Sequence, residues 1–475
     1  MFYDSCQVKG DIFVSEQSKK TDLLGKAPIP KALIALGVPT MIGMMVNAIY
    51  NLVDAFFVAG LGTAQNGAIT VAFPLGQIVV GLGLLFGNGA ASYISRLLGR
   101  GEKETANKVA NTALYSSVIV GVVIIIFSVI FLNPILRLLG ATDSILPYAM
   151  TYTSIYIISS IFNVFNVTMN NIVTSEGSAK TTMFALLAGA ILNIILDPIF
   201  IYVLDLGIAG AAIATAISQI VSTCVYLRYI FSKRSNFTFK FKECCFSKGI
   251  MAEIFKIGVP TLVFQLLTSL SIALISGLAK SNGYGDSVIA GMGDVTRILS
   301  MGSLIVFGFI KGFQPIAGYN YGAKRIDRLY EAIKTTITWS TIFCVIFGLV
   351  VALFSTSIIS QFTKDDLELI NVGQKALISG GISFFLFGFY TLYSSLFLAL
   401  GKGKEGFILG ACRQGICFVP VILILTSICG LNGIIYSQAT ADVISGIITI
   451  FMALHLHKEL REINQKVLGE EVKIN

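Results

Sequence analysis

The chain has 475 residues, 55% of them hydrophobic and 13% charged, with a net charge of +8 and a mean hydropathy of +0.81. Too few polar side chains are left to wet the surface of a soluble globule, so the composition specifies a polytopic membrane protein. The basic excess points to contact with anionic lipid on one side of a bilayer and gives no support for nucleic acid as a partner.

Apolar runs of about 20 residues mark helices that cross a bilayer. In chain order they predict an all-α protein with spans over 32–60, 68–95, 106–132, 146–173, 181–204, 208–231, 251–279, 288–316, 332–356, 370–399, 405–428 and 431–457. Lys and Arg gather at cytoplasmic span ends. With a cytoplasmic N-terminus, 28 of the 34 basic residues fall on that side. Arg137, Lys280, Lys364 and Lys375 are counted on the other, and Arg297 and Lys311 as inside spans. Twelve spans with both termini inside follow. The first thirty residues are polar and carry no short apolar region with a cleavage site, so no signal peptide is expected. The eight cysteines have no metal-ligand spacing and are expected to be structural or neutral.

An internal repeat divides the chain. Gly37-Val38-Pro39-Thr40 recurs as Gly258-Val259-Pro260-Thr261, and Phe86, Gly89 and Gly99 recur as Phe309, Gly312 and Gly322. Gly207 and Gly210 recur as Gly430 and Gly433. Both halves start on the same side, so the repeat is parallel, and such repeats often hold the substrate site between them. The expected organisation is a cytoplasmic tail over 1–30, an amino-terminal lobe over 31–231, a basic linker over 232–250, a carboxy-terminal lobe over 251–458 and a second cytoplasmic tail over 459–475.

Polar residues inside the first half fall on single helix faces. Asn47, Asn51 and Asp54 share a stripe of the first span, and Tyr152, Tyr156, Ser159, Asn163, Asn166 and Asn170 share one of the fourth. Asn193 and Asp197 are four apart in the fifth span, and Thr215, Gln219 and Ser222 share a face of the sixth. Hydrogen bonds between helices explain part of this. Six polar residues on one helix exceed that need and predict a water-filled cavity. Asp54 and Asp197 lie at matching depth, roughly 9–11 Å below the outer surface at 1.5 Å per residue. A buried carboxylate costs on the order of 2.5–3.5 kcal/mol even on lenient scales, so each acid needs a partner, a proton or a cation. Together they suit a proton relay, or a sodium site with oxygens from Asn193 and Thr215; two acids satisfied by amides and hydroxyls is the bland alternative. Pro39 and Pro198 make bends available in the helices that carry these acids.

The second half reads as more structural. Asp294 and Arg297 can pair on one helix, and Asp442 lies within reach of Arg413. The second half also offers Gln265, and the aromatic run Phe384, Phe385, Phe387, Phe389, Tyr390 and Tyr393 reads as packing. His455 and His457 are expected to be solvated at the cytoplasmic end of the last helix.

Gly37-Val38-Pro39, Tyr50 to Asp54, Asn193 to Pro198, Gln314-Pro315, Gly318 to Ala323 and Ala441-Asp442 together resemble the multidrug and toxic compound extrusion (MATE) family, in its MepA-like bacterial branch. The resemblance spans roughly 30 to 458. It implies two six-helix lobes around a central cleft, in a monomer set among the lipids of a bacterial plasma membrane. It also implies export of small cationic or amphipathic compounds in exchange for H+ or Na+, with no cofactor. Carried over, Asp54 and Asp197 match the family's cation-coupling acids, Asn193, Thr215 and Tyr152 their neighbours, and Pro39 the bending point of the first helix. The substrate cavity would draw on Asn47, Asn51, Tyr156, Asn163, Asn166, Gln265, Asp294 and Arg297. Relatives with acids in the seventh and tenth helices differ from this chain, which has Gln265 in the seventh and no acid in the tenth, so cations are expected to use the first lobe. The expected mechanism is alternating access. A flippase for lipid-linked saccharides or cell-wall precursors is the alternative, but it calls for cavity cations, and Arg297 and Arg413 have candidate acidic partners. A membrane-embedded enzyme is more remote, because no nucleotide loop, nucleophile–base pair or metal cluster is present.

Overall fold

A computed structural model describes residues 19–232, 234–284, 286–361 and 366–474. Among them, twelve helical segments reach membrane-spanning length. They are α1 (Ile29–Ala59), α2 (Thr63–Arg100), α3 (Lys103–Ile130), α4 (Leu146–Ser175), α5 (Ala179–Pro198), α6 (Gly207–Phe231), α7 (Lys248–Ser281), α8 (Asp286–Gly322) and α9 (Ile326–Leu353). The remaining three are α10 (Leu367–Ser383 with Phe385–Ala399), α11 (Gly403–Ala411 through Phe418–Cys429) and α12 (Leu431–Ile474). Ten of the twelve are apolar enough to cross a bilayer, and α10 is an eleventh span bent by 53°. The exception is α4, whose 30 residues carry the polar stripe and bury it against α2 and α6. Elsewhere Ile119, Val123, Ile126, Phe127 and Ile130 of α3 stand exposed, as a lipid-facing surface requires.

Helix packing repeats the sequence duplication. In the first half α2 packs on α3 and α4, α1 on α5, and α6 on α4 and α5; in the second, α8 packs on α9 and α10, α7 on α11, and α12 on α10 and α11. The halves meet through α1 against α8 and α2 against α7. The repeated glycines form that seam. A Cβ on Gly312 would lie 2.4 Å from Gly37 N, one on Gly258 2.0 Å from Leu85 O, and one on Gly89 2.2 Å from Ile254 O. Gly99 against Tyr319 and Gly322 against Arg96 are as close. The repeated threonines join it: Thr40 Oγ1 donates to Gly308 O at 2.6 Å, and Thr261 Oγ1 accepts from Asn88 at 3.0 Å. All of these contacts lie toward the helix ends on the side of the N-terminus, and among the described residues the interlobe glycine contacts run no farther than Gly81 against Leu262. Beyond it, α1 exposes Ile49, Asn51, Leu52 and Phe56.

Several details depart from expectation. Of the tail assigned to 1–30, residues 19–25 are helical, and this segment docks on both halves: Lys20 Nζ donates to Tyr229 Oη at 2.7 Å, while Leu24 O and Gly25 O accept from Asn320 and Arg325. The tail assigned to 459–475 continues α12 as helix to Ile474. α10 breaks at Phe384, where Gly348 and Gly381 bring α9 and α10 into backbone contact. α5 relaxes into a π turn over Ile199–Val203 after Pro198, which supplies no N–H, and α11 holds a second π turn over Cys412–Ile416.

Candidate cation site and cavities

Asn193 and Asp197 are one helical turn apart on α5, which stacks them on one face. Asn193 Nδ2 donates to Asp197 Oδ1 at 3.1 Å. Asp197 is 0% exposed and Asn193 1%. Three oxygens here are buried without a hydrogen-bond donor: Asp197 Oδ2, Asn193 Oδ1 and, from α1, Asp54 Oδ1. Asp54 and Asp197 lie within electrostatic reach of each other, and the buried Tyr152 of α4 feels both. Tyr152 stacks on Tyr156 with ring centroids 5.9 Å apart. An unsatisfied buried acceptor costs about 1–3 kcal/mol, more when charged, so this group of oxygens is suited to receiving a proton or a small cation. The π turn after Pro198 loosens the α5 ladder immediately beside Asp197.

Next to the acids a cleft of about 40 Å³ is lined by Asn47, Tyr50, Asn166, Asn193, Thr215 and Gln219, with Ser218, Ser222 and Tyr226. The α4 stripe divides. Tyr152 and Tyr156 turn to the acids, and Asn163 Oδ1 is buried without a donor. Asn166 is instead a tie to α6: its Nδ2 donates to Gln219 O and Oε1, both at 2.9 Å, and its Oδ1 accepts from Thr223 at 2.9 Å. Asn51 donates to Asn47 O at 2.7 Å from an exposed position. Tyr50 is a neighbour that the polar-stripe reading passed over; its position four residues before Asp54 was the available signal.

In the second half Arg413 Nε meets Asp442 Oδ1 at 2.9 Å, with side chains only 11% and 4% exposed. Gln438 at 3.0 Å and Ser383 at 3.2 Å also donate to Asp442, and Arg413 lies over the rings of Phe387 and Tyr390. The expected structural pair is present. Arg413 is therefore deep in the α11 π turn, which corrects its place among the charges of the cytoplasmic side. Asp294 and Arg297 approach only to 3.6 Å, with the Arg297 side chain 73% exposed. Gln265 is half-buried on α7 and lies outside the cleft lining. The aromatic run is packing, with Phe384 stacked on Phe387. His457 corrects the solvation reading: its Nε2 bonds Tyr393 Oη at 2.7 Å and its ring stacks on Tyr330, while His455 is exposed.

A second, narrow cavity of about 10 Å³ lies between the halves, lined by Asn88, Ser92, Asn171, Lys311 and Gln314 among others. No three His, Cys, Asp or Glu residues cluster as a metal site among the described residues.

Comparison with known proteins extends these observations. The MatE family model matches residues 39–199 and again 260–424, one copy in each half. The multidrug export protein MepA of Staphylococcus saprophyticus is 29% identical over 442 residues, covering 92% of this chain and 96% of that protein. A MATE structure solved in the straight conformation superposes with a TM-score of 0.88 at 27% identity, covering 94% of this chain and 99% of the other. An outward-facing multidrug resistance MATE family transporter of the MOP superfamily gives the same TM-score and coverage at 28% identity.

Proposed function

The chain belongs to the MatE family, and from that premise we propose that this multidrug export transporter exchanges H+ or Na+ for small cationic or amphipathic compounds by alternating access. The observation that carries the reading is the set of three buried, donorless oxygens on Asp54, Asn193 and Asp197. In the outward-open state a proton or Na+ enters at these atoms and neutralises the acids, while substrate leaves the cleft. Tyr152 and Thr215 wall the site on the α4 and α6 sides. A charge crossing 100 mV contributes about 2.3 kcal/mol, enough to bias the two states of the transporter by more than tenfold.

Residues 31–231 and 251–458 act as the two lobes, joined by the 232–250 linker, with both termini in the cytoplasm of a bacterial cell and the protein working as a monomer in its lipid. In this orientation the glycine seam closes the cytoplasmic side. The superposition on an outward-facing relative supports that assignment. Pro39 serves as the bending point of α1. Its ring removes one backbone donor, while Thr40 Oγ1 donates to Leu36 O at 2.8 Å and also reaches Gly308, so a bend there alters the seam directly. Asp442 cannot take up a mobile cation in the same way, because Arg413 already fills that role. Coupling therefore rests on the amino-terminal lobe.

Purified protein in vesicles, loaded with a fluorescent cation and given a pH or a sodium gradient separately, tests the reading. Gradient-driven dye movement supports it and identifies the ion. No dye movement under either gradient, together with altered cell-wall precursors in a host lacking its own pumps, would favour the flippase.

A further inference from the structure

Lys311 sits on α8 between Gly308 and Gly312 of the seam, half-buried, at the wall of the narrow 10 Å³ cavity between the lobes. Its Nζ donates to Asn170 Oδ1 at 2.5 Å. That carboxamide is its only hydrogen-bond partner among the described residues, and no carboxylate lies within ion-pairing distance of it there. The other withdrawn cations are matched: Arg413 by Asp442, and Arg96 by Glu253 at 2.8 Å. An ammonium has three protons to donate, so two remain for a guest.

The neighbouring polar groups are already engaged. Gln314 donates to Ser395 at 2.6 Å, Asn171 to Val167 O at 2.8 Å and Asn88 to Thr261 at 3.0 Å. The cavity thus holds one unneutralised positive charge in a neutral polar wall, and a charge withdrawn from water is costly until an opposite charge joins it. Asn170 Nδ2 in turn donates to Tyr226 Oη at 3.2 Å, and Tyr226 lines the cleft beside the acids. Two side chains therefore join the ammonium to the cavity of the amino-terminal lobe.

We propose that this pocket is a subsite for an oxyanion, a carboxylate above all, borne by amphipathic substrates, and that Lys311 is the residue that selects for it. The proposal rests on the export reading. A substrate with both charges docks its anionic end at Lys311 once the lobes part on the seam side, with its cationic end toward the cleft beside Asp197. Purely cationic compounds bypass Lys311.

The test is equilibrium binding to purified protein, followed by fluorescence polarisation, of rhodamine B, which carries a free carboxylate, and of its ethyl ester. Lys311→Met is expected to weaken rhodamine B binding roughly tenfold or more, the scale of one charge-assisted hydrogen bond, while ester binding holds. Lys311→Arg is expected to retain the preference, which guards against a misfolded variant. Equal losses for both dyes, or no loss for either, overturn the proposal. Failure of the export reading is separately visible, as intact binding without gradient-driven transport in vesicles.

Discussion

Replacing Gly312 with alanine adds one methyl group where two repeated glycines of the seam meet backbone to backbone. Its Cβ would fall 2.4 Å from Gly37 N and 2.5 Å from Gly37 Cα, where ordinary contact begins at 3.4 Å. Both obstacles are backbone, so α1 and α8 must separate by about 1 Å, and overpacking of this kind typically costs about 1–3 kcal/mol. That cost falls only on the state in which the seam is closed, so the balance moves roughly 5- to 150-fold toward opening on that side. The assay is thiol labelling of a cysteine placed at Asn88, in the interlobe cavity, after the eight native cysteines are replaced. Gly312→Ala should speed labelling and lower transport. Gly277→Ala is the control, since a Cβ there meets nothing within 4 Å, and it shares the gain in helix propensity of about 1 kcal/mol. Labelling of Gly312→Ala no faster than the control would refute the seam as the closed gate.

Arg413→Met should lower the melting temperature sharply, because it strands the buried Asp442 with only Gln438 and Ser383, a loss on the order of 3–5 kcal/mol; adding Asp442→Asn should recover much of it in detergent-solubilised thermal unfolding. Glu176, in the turn after α4, is fully buried and accepts from Tyr229 at 2.5 Å, Asn236 N at 2.7 Å and Ser235 at 3.1 Å. Burial raises its carboxyl above the ordinary value of 4.5, against the pull of Lys20 and these donors. For an acid raised in the folded state, the associated stability is full below pH 4.5 and is lost as pH rises through the folded value, so melting temperature should fall upward from about pH 4.5. Glu176→Gln should flatten that slope, and an unchanged slope would contradict the assignment. Asn166→Ala should destabilise the protein by about 1–3 kcal/mol, measured by the same unfolding assay, because it frees Gln219 and Thr223 at once.

The spans were legible because lipid tolerates no exposed backbone polarity, which forces long apolar helices with few choices of boundary. The repeat was legible in Gly37, Gly89, Gly258 and Gly312, but their purpose was not. Close approach is a property of two helices, and the partner's position is absent from a linear pattern. The Asn193–Asp197 face followed from helix periodicity alone. That Asp54 joins it, and that three of the oxygens lack donors, depends on how α1 packs on α5. The same gap explains the α4 stripe, where Asn166 turned out to be a tie and Tyr152 a neighbour of the acids. It also explains His457, bonded to a tyrosine 64 positions earlier; Arg413, within the 405–428 span yet counted with the cytoplasmic charges, is instead buried against Asp442.

The most direct measurement compares Asp54→Asn and Asp197→Asn with the parent chain in vesicles, reading dye binding and gradient-driven dye transport on the same preparations. Each substitution preserves side-chain volume and removes the charge that would bind the ion. Dye binding should survive while transport under an imposed gradient falls to the rate of passive leak. Concentrative transport persisting in the doubly substituted protein would contradict the assignment of these two carboxylates as the coupling site.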